Sequence, residues 1–223
     1  LERRTRTQNT CPLLATGADR EGARGLGEGG EHPVHDQPRR LGGGGARGGG
    51  RPISVFEDFD NYIKINKINS TIAKQITINN FGYIQSPSSG FVVKLLNPKK
   101  TDIIVDACSA PGGKSIHISN LLKNEGTIYS YEINKSRFSL LKNNLNNYHI
   151  NNIVSFNDDF RNCKIENINK ILIDAPCTGT GTIHRKPDIK IRRKYNELIK
   201  LTELQSSLLN YAGSIIKKNG TIV

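Results

Sequence analysis

The chain has 223 residues, a formal net charge of +12, 6% aromatic residues, and neither Met nor Trp. Its four cysteines form no C-x-x-C pair and no zinc-ligand spacing, which argues against a disulfide framework or a metal site. No uninterrupted apolar run is long enough to cross a bilayer, so we expect no membrane association. The positive charge favours a polyanionic partner, although a generally lysine-rich surface would give the same excess.

Residues 1–51 differ in kind from the rest of the chain, because they hold 13 of the 22 glycines and contain no Lys or Ile. We predict a disordered Gly/Arg-rich tail or a fusion artefact there; a glycine-arginine RNA-binding tail would show a regular repeat and aromatic residues. Residues 52–80 are interpreted as the remnant of an upstream domain or a linker, and residues 81–223 as the main domain. A chain that starts at Leu1 and has no Met is typical of a fragment.

An alternation of short apolar strands and amphipathic helices begins at residue 102. The predicted strands are 102–106, 126–132, 152–158 and 170–176, with a fifth beginning at 219, and the predicted helices are 114–124, 135–147 and 195–218. Such alternation predicts βαβ units and an α/β fold with a doubly wound, mostly parallel sheet. Open sheets of this kind bind ligands at the carboxyl ends of their strands.

The segment "VDACSAPGGKS", residues 105–115, joins the first predicted strand to the first helix. Gly112 and Gly113 let the backbone approach a ligand closely, and the helix N-terminus offers free N–H donors. A phosphate-binding P-loop would need glycine where Cys108 stands, and the dinucleotide fingerprint G-x-G-x-x-G is absent as well. The loop therefore indicates a ligand other than a nucleoside triphosphate.

Acidic residues end three successive strands: Asp106, Glu132 and the pair Asp158–Asp159. An acid at the end of the second strand suits a ribose diol, either of NAD or of S-adenosylmethionine. An acid after the third strand is placed to reach an adenine amino group. Three carboxylates together suit a ligand with a sulfonium cation better than one with a pyrophosphate.

The segment "ILIDAPCTGTGTIHRKPDIK", residues 171–190, places a cysteine just beyond the acidic end of the fourth strand. A structural cysteine would more usually lie within the strand itself. A run of seven basic residues over 184–194 follows, which suits phosphate contacts beside a splayed-out base. The alternative for this run is a solvated surface segment.

These two segments together resemble the RsmB/Fmu (Sun) family of RNA cytosine-C5 methyltransferases. The resemblance covers roughly residues 81–223 and rests on three motifs at these separations: D-x-C-x-A-P-G-G-K, D-A-P-C and R-x-P-D. It implies a Rossmann-like methyltransferase domain that uses S-adenosylmethionine, truncated at its C-terminus in this sequence.

The resemblance also implies roles for individual residues. Those expected to bind the cofactor are Cys108, Ser109, Ala110, Pro111, Gly112, Gly113, Lys114, Glu132, Asp159 and Asp174. Asp174 is expected near N3 of the target base, and Cys177 is expected to assist product release. The nucleophile in this family is a second cysteine, in a T-C-S segment after the fifth strand, just beyond the last residue given. The expected RNA contacts are Arg185, Lys186, Lys190, Arg192 and Arg193.

We therefore expect methyl transfer from S-adenosylmethionine to a cytosine in rRNA or tRNA. A catalytically incomplete RNA-binding fragment is one alternative. A DNA cytosine methyltransferase, in which a Pro-Cys cysteine is itself the nucleophile, is another. We expect an RNA partner, no metal and no membrane, and an intracellular location (cytoplasmic, or nuclear or organellar in a eukaryote); the oligomeric state is left open.

Overall fold

Two β-sheets, one of them covered by helices, are seen in a computed structural model of the chain. The structure describes residues 13–16, 53–55, 62–65, 71, 74–76, 82–183, 186–192 and 194–223.

The smaller sheet contains four short strands in the order β2-β3-β1-β4. They are β1 (Leu13–Thr16), β2 (Ile53–Val55), β3 (Tyr62–Ile65) and β4 (Tyr83–Ile84). Strand β1 runs parallel to β3 and β4, and β2 runs antiparallel to β3. Four residues of the predicted tail thus form a strand, and the remainder of 1–51 lies outside the described residues, so the nature of that segment stays a prediction.

The larger sheet has five strands, all parallel, in the order β7-β6-β5-β8-β9. The strands are β5 (Ile103–Asp106), β6 (Thr127–Tyr131), β7 (Ile153–Phe156), β8 (Ile168–Leu172) and β9 (Ile216–Ile222). The order reverses between β5 and β8, which is where a doubly wound sheet opens its ligand crevice. The predicted α/β, doubly wound fold is confirmed.

From Pro87 onward, helices accompany these strands in the described part of the chain. They are α1 (Pro87–Leu96), α2 (Gly113–Leu121), α3 (Lys135–Asn147), α4 (Ile189–Arg192) and α5 (Tyr195–Ile215), with single 3₁₀ turns at Phe160–Asn162 and Thr180–Thr182. The bounds of α3 match the sequence prediction. Helix α2 ends earlier than predicted, since Lys123 and Asn124 both adopt positive φ.

Helix α1 was not predicted, because the sequence over residues 79–90 reads as a turn-rich connection. Ser86 accepts a hydrogen bond at its side chain from the backbone N–H of Ser89, and Pro87 stands in the first turn. Both are helix-start signals, since a serine N-cap satisfies a free N–H and proline needs none there. The turn interpretation was therefore wrong from Pro87 onward.

Successive side chains of each strand in the larger sheet point to opposite faces and form a hydrophobic core on each face. On one face the core contains Val105, Tyr131, Phe160, Ile171, Leu208 and Ala212. On the other face it contains Val93, Leu96, Ile104, Ile118, Leu122, Ile128 and Leu172. Of the leucines in α5, Leu208 is buried in the first of these cores, whereas Leu198 and Leu209 are exposed.

Candidate active site

The loop between β5 and α2 crosses the carboxyl ends of β5 and β6. The backbone N–H and the hydroxyl of Ser109 both donate to the carbonyl of Tyr131, at 2.9 and 3.0 Å. Gly112 caps α2 with φ of +107°, a conformation that favours glycine, and its N–H donates to the Ser109 carbonyl at 2.7 Å. These bonds fix the loop as a turn that presents the first N–H groups of α2.

Tyr83 of β4 packs directly against the start of α2. A Cβ added at Gly113 would lie 2.7 Å from Cε1 of the Tyr83 ring, so the ring occupies the space that any other residue at 113 would need. The ring also meets Tyr148 edge-on, with centroids 5.6 Å apart, and the Tyr148 hydroxyl donates to the Gly82 carbonyl at 3.0 Å. Sequence reasoning did not identify Tyr83, because the contact joins two elements 30 residues apart.

Two cavities open at the switch point, and Cys108 contributes to both. Cavity A, of about 310 Å³, is lined by Tyr83, Ile84, Gln85, Ser86, Ser89, Asp106, Cys108, Ser109, Ala110, Pro111, Gly113, Lys114 and Asp174. Cavity B, of about 210 Å³, is lined by Ala107, Cys108, Glu132, Ile133, Asn134, Arg137, Asp158, Asp159, Phe160, Arg161, Pro176, Leu204 and Leu208. Nine of the ten residues predicted to bind the cofactor line one cavity or the other, and the tenth, Gly112, caps the helix between them.

Glu132 follows β6 and is buried, with 3% of its side chain exposed. Its Oε1 accepts a hydrogen bond from the backbone N–H of Asn134 at 2.9 Å. Its Oε2 accepts no hydrogen bond from the described residues, although Nη1 of Arg137 lies 3.5 Å away as an ion-pair partner. A buried carboxylate oxygen that accepts no hydrogen bond from the described residues is suited to accept one from a ligand hydroxyl group.

Asp159 lies at the rim of cavity B and is held by Arg161. The carboxylate accepts from the guanidinium at both oxygens, at 3.0 and 2.5 Å. This bond to Arg161 lowers the pKa of Asp159 below its usual range. Phe160, Leu204 and Leu208 supply an apolar wall beside it, so the cavity combines a flat apolar surface with acids at its rim.

Asp106 ends β5 at the floor of cavity A, and its carboxyl group is fully buried. Burial raises its pKa to about 6, against the opposing effects of the Ser115 hydroxyl, which donates at 2.6 Å, and of Lys114. Burial, with the nearby charge of Asp106, also raises the pKa of the Cys108 thiol to about 12. Cys108 therefore stays a protonated thiol at neutral pH and is a poor nucleophile.

Asp174 follows β8 and stands at the mouth of cavity A, with 57% of its side chain exposed. The ammonium of Lys114 lies 2.5 Å from its Oδ2. Lys114, expected among the cofactor residues, thus reaches across the switch point and positions the carboxylate. Sequence reasoning selected both residues but did not predict that they pair.

The loop after Asp174 is held by α5. The side-chain amide of Gln205 donates to the Pro176 carbonyl at 2.7 Å, and Pro176 lines cavity B. Cys177, the next residue, is exposed. The fold thus presents this thiol to solvent just beyond the cavities.

The basic run over 184–194 lies partly within the described residues. Residues 184, 185 and 193 lie outside the described part of the chain, and for Lys190 and Arg192 the structure gives only the backbone of α4. Lys186 is exposed. The RNA contacts expected of Arg185, Lys186, Lys190, Arg192 and Arg193 stay a prediction.

No three His, Cys, Asp or Glu side chains in the described residues are grouped to hold a metal ion. None of the helices in the described part of the chain has the length and apolar composition that a bilayer crossing requires.

A family model described as 16S rRNA methyltransferase RsmB/F matches residues 93–223, more than half of the chain. The chain belongs to the RsmB/F methyltransferase family. A probable ribosomal RNA small subunit methyltransferase B of Bacillus subtilis is 39% identical over 144 residues, and one of Synechocystis is 32% identical over the same length. Each match covers 63% of this chain and 32% of the relative, so the chain spans about a third of these relatives' length.

Solved structures place the RsmB/F chain in the same fold. The crystal structure of NSun6 from Pyrococcus horikoshii with SFG, an analogue of S-adenosylmethionine, is 27% identical, with a TM-score of 0.61. A methyltransferase homolog protein from Pyrococcus horikoshii is 28% identical, with a TM-score of 0.60. The matches cover 72% of this chain, and 41% and 50% of the respective structures. The predicted family resemblance and the Rossmann-like methyltransferase fold are both confirmed.

Proposed function

We propose that this RsmB/F chain carries the catalytic core of an RNA cytosine-C5 methyltransferase that uses S-adenosylmethionine. The observation that carries the proposal is the meeting of the β5–α2 loop, Glu132 and the Lys114–Asp174 pair at one switch point. The relatives' names favour an rRNA substrate over a tRNA, and the three free thiols among the described cysteines fit an intracellular location.

The residues present fit the proposed cofactor. Glu132 offers a buried oxygen free to accept from a ribose hydroxyl, and Phe160 and Ile133 offer apolar surface for an adenine ring in cavity B. Cavity A continues past Cys108 along the β5–α2 loop and provides room for an amino-acid end. When bound, S-adenosylmethionine supplies an electrophilic methyl group on a sulfonium cation.

The chemistry then requires the cytosine ring to be activated. Cytosine C5 is a weak nucleophile, and a thiolate that adds at C6 raises the electron density at C5. We assign Asp174 to N3 of the base: the proton of the attacking thiol passes to N3 as the C6–S bond forms, and the carboxylate accepts a hydrogen bond from the N3–H that results. Lys114 fixes the orientation of this carboxylate and leaves its exposed side toward the incoming base.

Once C5 is methylated, a base takes its proton, the double bond between C5 and C6 re-forms, and the C6–S bond breaks to expel the thiolate. We assign Cys177 to this release step, since its exposed thiol lies three residues beyond Asp174. We infer that the attacking thiolate belongs to a second cysteine after the fifth strand, as the family resemblance implies. The raised pKa of the Cys108 thiol argues against Cys108 as a substitute.

Cofactor binding is testable on this chain alone by calorimetry with S-adenosylmethionine. We expect Glu132→Gln to weaken binding at least ~10-fold, the value of one to two hydrogen bonds to a charged group. Glu125→Gln is the matched control, because the Glu125 side chain forms an exposed pair with Lys100 and lines neither cavity A nor cavity B. Equal affinity in both variants would contradict the ribose assignment.

The reaction is testable in a longer protein that includes the downstream cysteine, with rRNA, tRNA and DNA substrates tritiated at cytosine C5. We expect tritium release from RNA, abolished by Asp174→Asn, and a covalent RNA adduct that accumulates in Cys177→Ala. If Cys177→Ala instead prevented adduct formation while the downstream cysteine proved dispensable, Cys177 would be the nucleophile. RNA binding without tritium release in any variant would favour a non-catalytic binding role.

A further inference from the structure

Arg137 contacts one residue that lines cavity A and one that lines cavity B. Neither the family motifs nor the sequence spacing pointed to this residue. We propose that Arg137 is a positioning residue, whose guanidinium locks the β5–α2 loop to Glu132 and so sets the relation between cavities A and B. The inference rests on the proposed cofactor, because it concerns how one ligand is held at both of its ends.

The geometry of Arg137 supports a two-point contact. Its Nη2 donates to the carbonyl of Ala110 at 2.5 Å, and its Nη1 lies 3.5 Å from Glu132 Oε2. Its own backbone N–H donates to the side chain of Asn134, the N-cap of α3, at 3.0 Å. Since the guanidinium is rigid and planar, contacts at two of its nitrogens restrain the loop and the acid relative to each other.

The charge balance at Glu132 supports the same role. Glu132 is almost fully buried, and a buried carboxylate without a countercharge is costly. Arg137 is 48% exposed, so an isolated pair at this position would contribute little by itself. The contribution of Arg137 is to hold Oε2 of Glu132 in position. This oxygen is the one that receives no hydrogen bond from the described residues.

The contact with Ala110 extends this effect to cavity A. Ala110 belongs to the turn that lines cavity A, whereas Glu132 lines cavity B. A ligand that spans both cavities finds the β5–α2 turn and Glu132 already in their relative positions only when Arg137 contacts both. Preorganisation of this kind raises affinity by removing an ordering cost at the moment of binding.

A double-mutant cycle on this chain tests the inference, with calorimetric affinity for S-adenosylmethionine as the readout. The variants are Arg137→Gln, Arg137→Lys, Glu132→Gln and the double variant Arg137→Gln/Glu132→Gln. Lys135→Gln is the matched control, since Lys135 is an exposed cation on the same turn of α3. Thermal melts of every variant identify any that fails to fold.

We expect Arg137→Gln to weaken binding about 10-fold when Glu132 is present and less than about twofold when Glu132 is already Gln, since coupled residues are non-additive. Arg137→Lys should recover only part of the loss, because one ammonium cannot replace the fork. The positioning role would be overturned by equal losses of affinity in both backgrounds, by full recovery of affinity in Arg137→Lys, or by a comparable loss in Lys135→Gln. Each of these outcomes would leave the cofactor proposal intact. Absence of binding by the unsubstituted chain would overturn both.

Discussion

Asp106 shows how one buried carboxyl group sets the electrostatics of the site. It lies under the β5–α2 loop, where its Oδ1 has no hydrogen-bond partner among the described residues and its Oδ2 accepts from Ser115. Burial disfavours its charged form and brings its pKa to about 6. The folded chain therefore holds this proton more tightly than the unfolded chain does.

The raised pKa predicts a pH dependence of stability. Between about pH 4 and pH 6 the folded state binds more protons than the unfolded state, so the contribution of Asp106 is fully present at low pH and is lost as pH rises through 6. We expect Asp106→Asn to remove this dependence, which is on the order of 3 kcal/mol because one pKa unit corresponds to about 1.4 kcal/mol. Urea unfolding of both proteins from pH 4 to 7 measures it.

Asp159 provides a control of opposite sign. Its pKa is lowered by Arg161, so its contribution is present above the pKa of the unfolded chain and is lost as pH falls through the folded value. Asp159→Asn should therefore lose stability relative to the parent at neutral pH and approach it under acid conditions. Parallel stability curves for the parent and Asp106→Asn would contradict the assignment to Asp106.

At the scale of elements, the site depends on contacts between segments distant in sequence. Strand β4 brings Tyr83 over Gly113, and helix α5 brings Gln205 to Pro176. The first contact shapes cavity A, and the second orients the loop that carries Cys177. Each contact makes a separate prediction.

Gly113→Ala should destabilise the chain by about 1–3 kcal/mol and weaken S-adenosylmethionine binding, because its Cβ would overlap the Tyr83 ring. The double variant Gly113→Ala/Tyr83→Ala should bind S-adenosylmethionine more tightly than Gly113→Ala alone. This gain in affinity should exceed the loss that Tyr83→Ala causes by itself. Thermal melts and calorimetry measure both effects. A Gly113→Ala protein with parental stability and affinity would show that the ring moves away freely.

Gln205→Ala should lower the free energy of unfolding by about 1 kcal/mol, because the partly buried hydrogen bond from the Gln205 amide to the Pro176 carbonyl is lost. In the longer protein it should slow methyl transfer more than it weakens cofactor binding, because the Pro176–Cys177 loop loses its anchor. Ser206→Ala, at an exposed neighbour on α5, is the matched control. Equal effects of the two substitutions would dismiss the anchoring role.

At the scale of the whole molecule, the sheet ends on an edge strand. Strand β9 pairs with β8 alone among the described residues, and Lys217, Lys218 and Asn219 of β9 are exposed. Unpaired edges invite pairing between molecules, and lysines on an edge strand oppose it. The two lysines of β9 thus place positive charge on the last strand of the described sheet.

Replacing Lys217 and Lys218 with Thr should therefore increase self-association of this chain, because Thr favours strands and carries no charge. Light scattering and sedimentation velocity over a range of concentrations measure the change. The double substitution of Lys135 and Lys142 with Thr removes the same charge from the exposed side of α3. Equal association in both double variants would attribute the effect to net charge rather than to the edge.

Much of the fold was predictable because strand and helix periodicities are local properties of the chain. Glu132 was selected because parallel strands bring their carboxyl ends to one edge, whereas Asp174 was selected through the D-A-P-C motif of the family resemblance. Helix α1 was missed although Ser86 and Pro87 signal its start, since glycine and serine nearby suggested a turn. The expected roles of the site residues came from family motifs, and no spacing rule pointed to Tyr83, Arg137 or Gln205.

Local pattern and chain order were enough to predict the doubly wound sheet, the β5–α2 loop and the acids at the strand ends. The pairing of Lys114 with Asp174, the link that Arg137 makes between Ala110 and Glu132, and the raised pKa values of Asp106 and Cys108 came only from the folded structure. These properties depend on distance and solvent exposure, which arise when segments far apart in the chain pack together.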